Sequence, residues 1–147
     1  MKRVITATVV AAVPLVVAVA QLRADPWSMF EGAEAVTGFR PPAIDLGPVQ
    51  QLENGVRCHL RWTPEAGQMR QRWVRSTMSL TAAGANTSVD VVTRYRSEAA
   101  VSRTYGEGVL IHRSIASAAR RIATGVRDQL ELAWARAAQS ADDDSPC

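Results

Sequence analysis

The chain predicts an α+β domain, an antiparallel sheet of about four strands with a long C-terminal helix packed on one face. Three observations carry this. An Asn54-Gly55 turn signal stands directly before a run that alternates apolar and polar residues. Two later runs, 72–81 and 87–96, alternate with the same period of two. A stripe of apolar side chains then recurs at the helical period from Ile111 to Ala137.

Asp25-Pro26 reads as the start of a short helix, with Asp at the N-cap and Pro preorganised for the first turn. Trp27, Phe30 and Ala33 follow at helical spacing, and Gly38 ends it. Residues 39–47, with Pro41-Pro42, read as an extended linker. Residues 49–53 form a polar edge strand, which a type I′ turn at Asn54-Gly55 joins to its partner. In that partner Val56, Cys58, Leu60 and Trp62 face inward, and Arg57, His59 and Arg61 face outward. Residues 63–70 read as a loop with one helical turn. In 72–81, Val74, Met78 and Leu80 share a face with Ser76 between them. A small-residue turn at 82–86 leads to 87–96, where Val89, Val91, Thr93 and Tyr95 point inward and Asp90, Arg94 and Arg96 outward. A short helical turn follows Ser97-Glu98. The last helix is expected over 107–139, its stripe including Ile115, Ala119, Ile122, Val126, Leu130 and Trp134, with Gly125 its weakest point.

The N-terminus has the parts of an export signal. Lys2 and Arg3 precede Val4 to Ala20, a run without a charge. Ala18-Val19-Ala20 offers the small residues a signal peptidase reads, with a second cut after Ala24. The run also sits at the lower length limit of a membrane span, about 17 residues, so an uncleaved anchor is the rival reading. Both leave the bulk of the chain outside. No Cys follows the run, and Lys2-Arg3 is not a twin-arginine pair. The expected division is a signal peptide or anchor over 1–20 (to 24 with the second cut), a short helix and Pro-rich linker over 21–48, the α+β domain over 49–139, and an acidic tail over 140–147.

Net charge misleads if taken whole. The formal value is +3, yet Lys2, Arg3 and Arg23 lie in or beside the leader, and the remainder holds 14 Arg against 14 acids. That excludes basicity as an argument for a nucleic-acid partner. The charge is segregated: 55–127 carries twelve Arg and four acids, between two acid-rich flanks. Either the flanks neutralise the middle, or a basic face meets an anionic partner such as lipid headgroups or a phosphate-rich wall polymer. Lys2 is the only lysine, a bias that suggests GC-rich, actinobacterial coding. Cys58 and Cys147 make an even count, so an oxidising compartment predicts a disulfide closing a loop of about 90 residues and stabilising by about 4–5 kcal/mol.

The sequence carries no recognised catalytic signature. GxSxG, HExxH, SxxK and a phosphate-binding glycine loop are absent, and the spacing of two Cys and two His fits no metal site, so no cofactor is implied. The candidate binding residues are Arg57, His59, Arg61, Arg94 and Arg96, an anionic-surface set if they share a sheet face. Whether they do depends on strand register. The expectation is an exported, non-enzymatic envelope-associated binding or accessory protein whose partner is an envelope component or another protein. The alternatives are a single-pass accessory subunit anchored through residues 4–20 and a small secreted hydrolase using His59 or His112.

Overall fold

The computed structural model describes residues 2–30, 45–62, 74–96 and 105–143. Five strands form one antiparallel sheet: β1 (Lys2–Ala11), β2 (Asp45–Leu52), β3 (Gly55–Trp62), β4 (Val74–Ala83) and β5 (Asn86–Arg96), in the order β1-β5-β4-β3-β2. Among the described residues, two helices with defined bounds cover its inner face. The first, α1 (Leu15–Ala24), contacts β3, β4 and β5; the second, α2 (Tyr105–Asp143), lies along β1 and β5. The α+β architecture is therefore as the sequence predicts, with five strands rather than four.

The additional strand comes from the stretch read above as a leader. Of residues 4–10, all but Ala7 are β-branched, and such side chains favour the extended backbone. Every residue of β1 from Lys2 to Ala11 pairs with β5 in an unbroken register. Ala7 and Ala11 turn into the core, and Val4, Thr6, Thr8 and Val10 turn outward. Pro14 then divides the apolar run in two. It holds the extended N-cap of α1 at φ −60, ψ 143, and its carbonyl accepts from the Val17 and Ala18 amides at 3.1 and 3.0 Å. Val13, Ala18 and Leu22 are buried against the sheet. Among the described residues, no helix is long and apolar enough to cross a membrane.

After α1, Asp25 caps a helical turn at 28–30: its Oδ1 accepts from the Ser28 amide at 3.3 Å and its carbonyl from the Ser28 hydroxyl at 2.8 Å. Met29 and Phe30 close over the core from there. The rest of that expected helix and most of the Pro-rich linker, 31–44, lie outside the described residues, as do the loop 63–73 and the turn 97–104.

The hairpin signal is displaced by one residue. Leu52 pairs with Gly55, so the loop is Glu53-Asn54 and Gly55 already belongs to β3. Glycine is needed there for close approach, not for a left-handed turn. A Cβ at Gly55 would lie 1.9 Å from the Leu80 carbonyl oxygen. The left-handed glycine is Gly84, at φ 63 in the two-residue loop between β4 and β5.

The inner face follows the alternation. Val56, Cys58, Leu60 and Trp62 of β3 meet Val74, Met78 and Leu80 of β4 and Val89 and Val91 of β5. Among the described side chains of α2, the buried apolar ones are Ile115, Ala119, Ile122, Ala123, Val126 and Leu130, one stripe. Trp134, expected on that stripe, is exposed. Cys58 is buried as a free thiol, donating to the Gly47 carbonyl at 3.3 Å, and Cys147 lies outside the described residues. Within the core three polar side chains are partnered. Trp62 Nε1 donates to Ser76 Oγ at 2.9 Å, Ser76 Oγ bonds Thr93 Oγ1 at 2.8 Å, and Thr87 Oγ1 donates to the Val13 carbonyl at 2.7 Å. Burial of each large apolar side chain in this core contributes about 1.5–3 kcal/mol.

Candidate functional site

Register decides which arginines meet. Residues directly opposite in antiparallel strands point to the same face, with Cβ atoms about 4.5–5.5 Å apart. Arg61 of β3 stands opposite Arg75 of β4, and Arg75 stands opposite Arg94 of β5. The three form a row across the outer face of the sheet, all exposed. Asp45 of β2 and Val4 of β1 complete the row at its two ends. Asp45 accepts from Arg61 Nη2 at 2.6 Å, in a pair about half exposed on both sides. Among the described residues, neither Arg75 nor Arg94 forms a hydrogen bond or ion pair. Like charges placed directly opposite are destabilising, so a row of this kind favours an anion laid across it.

The next row toward the strand ends pairs Arg96 with Lys2. Behind the arginine row, His59 stands opposite Thr77, and its Nδ1 is 3.1 Å from Thr77 Oγ1. One row further, Arg57 donates through Nε to Gln50 Oε1 at 2.7 Å and shares its row with Ser79 and Asp90. Asp90 itself accepts from the Thr8 hydroxyl at 2.7 Å. Of the residues singled out from sequence, Arg61, Arg94 and His59 cluster, Arg96 stands beside them by register, and Arg57 is about 13 Å away along its strand. Arg75 belongs at the centre of the cluster. Its alternation against Val74 and Ser76 was the signal, but only the pairing of β4 with both neighbours shows that it bridges Arg61 and Arg94.

The same end of the sheet opens into a depression of about 1250 Å³. Asp45, Arg61, Arg75 and Arg94 line its outer side, and Ser76, Tyr95 and Ile115 its inner side. Tyr95 stands opposite Arg3 and its hydroxyl bonds Nδ1 of His112 on α2. Burial raises the Tyr95 pKa, and the nearby Arg3 charge opposes that rise. Among the described residues no carboxylate is hydrogen-bonded to either histidine, and no group of His, Cys, Asp and Glu is arranged to hold a metal ion.

No family model and no curated relative matches the chain. Among solved structures, Ara h 8.0201 superposes with a TM-score of 0.51 at 9% identity, covering 88% of this chain and 98% of that one. This shows a shared fold and nothing about activity. TTHA0849 from Thermus thermophilus aligns with a TM-score of 0.49 at 14% identity over 89% of this chain and 99% of that one. Ms6760 from Mycobacterium smegmatis gives 0.43 at 12% identity over 91% and 92%.

Proposed function

We propose that this protein is a non-enzymatic binding protein that takes an anionic, phosphate-bearing envelope component on the arginine row of its sheet. The single observation that carries this is the unbroken alignment of Arg61, Arg75 and Arg94 on adjacent strands, with Arg75 and Arg94 outside any ion pair among the described residues. Arg75 and Arg94 hold the anion, Arg61 is steadied by Asp45, and His59 and Thr77 supply hydrogen-bonding groups beside them. Each arginine near an anionic surface contributes about 1 kcal/mol, so losing two weakens binding about 30-fold.

The test is co-sedimentation with vesicles of phosphatidylglycerol and phosphatidylcholine. The double variant Arg75→Glu/Arg94→Glu is expected to lose binding by more than about 30-fold, while Arg57→Glu, outside the row, retains most of it. Binding in the native protein should fall as salt rises. Unchanged binding in the double variant overturns the proposal.

One observation favours export as the protein's address: Lys2 and Arg3 stand directly before the uncharged stretch from Val4 to Ala20. A processed product would start at Gln21 or Asp25 and would lack β1.

A further inference from the structure

The two edges of the sheet are built differently. At the β2 edge, Pro48 is exposed, the register is interrupted between Leu46 and Val49, and Asp45 carries a charge. Proline, bulges and charge are the devices that stop one sheet edge from pairing with another. The β1 edge has none of them beyond the charges of Lys2 and Arg3 at its start. It carries no proline, no irregularity and no charge from Val4 to Ala11, and its outward Val4 and Val10 are 59% and 50% exposed.

Its sequence is also self-complementary. Residues 4–10 read Val-Ile-Thr-Ala-Thr-Val-Val, which is symmetric about Ala7 apart from one Ile for Val. Set antiparallel to a copy of itself about Ala7, the strand places Val4 opposite Val10 and Thr6 opposite Thr8 on the outer face, and Ile5 opposite Val9 on the inner face. Valine pairs and threonine pairs are favourable cross-strand neighbours. Charge agrees with this register. Arg3 falls opposite Ala11 of the copy, and the amide of the adjacent Ala12 is bonded by Glu131 Oε1 at 3.0 Å. Arg3 and Glu131 both lie on the helix-covered side of the sheet, so each copy brings its exposed cation beside the other's carboxylate.

We propose that the β1 edge is the docking site for a second copy of this chain, joined antiparallel about a two-fold axis at Ala7 into a continuous ten-stranded sheet. A two-fold joint of this kind uses both β1 edges and leaves only the two guarded β2 edges, so assembly stops at the dimer. The occupant is the chain itself, because the strand, its register and the flanking charges all match their own copy.

Sedimentation equilibrium of the full chain from Met1 tests it with two variants, Val4→Lys/Val10→Lys and Val4→Glu/Val10→Glu. Both sites are exposed, so the monomer fold, checked by circular dichroism, is kept. The native chain is expected to be dimeric at micromolar concentrations. Each variant alone places like charges opposite one another and should be monomeric, and an equimolar mixture should recover a heterodimer through Lys–Glu pairs at both positions. A native chain that stays monomeric to about 100 μM overturns the proposal. So does a dimer that survives in the lysine variant, or an assembly larger than two.

Discussion

The buried chain from Trp62 through Ser76 to Thr93 makes a quantitative prediction. Ser76 is 2% exposed and is both the acceptor for the Trp62 indole N–H and the partner of the Thr93 hydroxyl. Ser76→Ala leaves the indole N–H buried without an acceptor, which costs about 1–3 kcal/mol, and strips the Thr93 hydroxyl of its partner for about 1 kcal/mol more. The expected loss is therefore about 2–4 kcal/mol, large for the removal of one oxygen. Thr93→Val keeps the shape of the side chain and leaves Ser76 to serve Trp62, so it should cost only about 1 kcal/mol. In the double variant the valine removes the hydroxyl that alanine would strand, so its loss should fall short of the sum by about 1 kcal/mol. Urea unfolding followed by tryptophan fluorescence measures all three, with unchanged m-values confirming that the same surface is exposed. A Ser76→Ala loss below about 0.5 kcal/mol, or strict additivity, would refute the reasoning.

Two further expectations follow from the core and the N-terminus. Burial raises the Cys58 thiol above its ordinary pKa, so the neutral thiol is the native form. Its contribution is complete below the unfolded thiol value and is lost as pH rises through the folded one. Stability should therefore decline as pH rises above the ordinary thiol value of about 8.5, with Tyr95 adding a slope of the same sign at higher pH, and Cys58→Ala should flatten that decline. A slope unaffected by the substitution counts against this account. Retention of β1 in the sheet predicts that intact-mass measurement finds residues 2–20 present, whereas processed export predicts a product beginning at Gln21 or Asp25. A product beginning at Gln21 would lack the whole of β1 and with it Ala7, Ala11, Val13 and Ala18 of the core, and would show that the mature fold does without them.

Most of the domain from β3 onward was legible because one face of each strand is buried and the other wet. Period two then marks the face without ambiguity, as at Val56 to Trp62 and Val89 to Thr93. The helix was legible for the same reason at its own period. The N-terminal strand was not. Val4 to Val10 is apolar or small on both faces, because its outer face sits on an edge and carries Val and Thr rather than charge. Without alternation, a buried strand, a leader and a span look alike, and Pro14, which divides strand from helix, fits each of them. The arginine row was half legible. Alternation put each cation on the outer face, but the meeting of Arg61, Arg75 and Arg94 is a property of register between strands, which alternation within one strand does not carry.

The strand order gives the N-terminus an unusual history. Residues 2–11 leave the ribosome before their partners, residues 86–96. At about 5–20 residues per second, the first strand waits on the order of ten seconds for a place in the sheet. Throughout that interval it is a short apolar segment behind two cations, open to any factor that recognises such segments in a nascent chain. On the export reading proposed above, capture during synthesis would compete with closure of the sheet. A change that speeds or slows translation ahead of β5 would shift the outcome without altering a single contact in the finished fold.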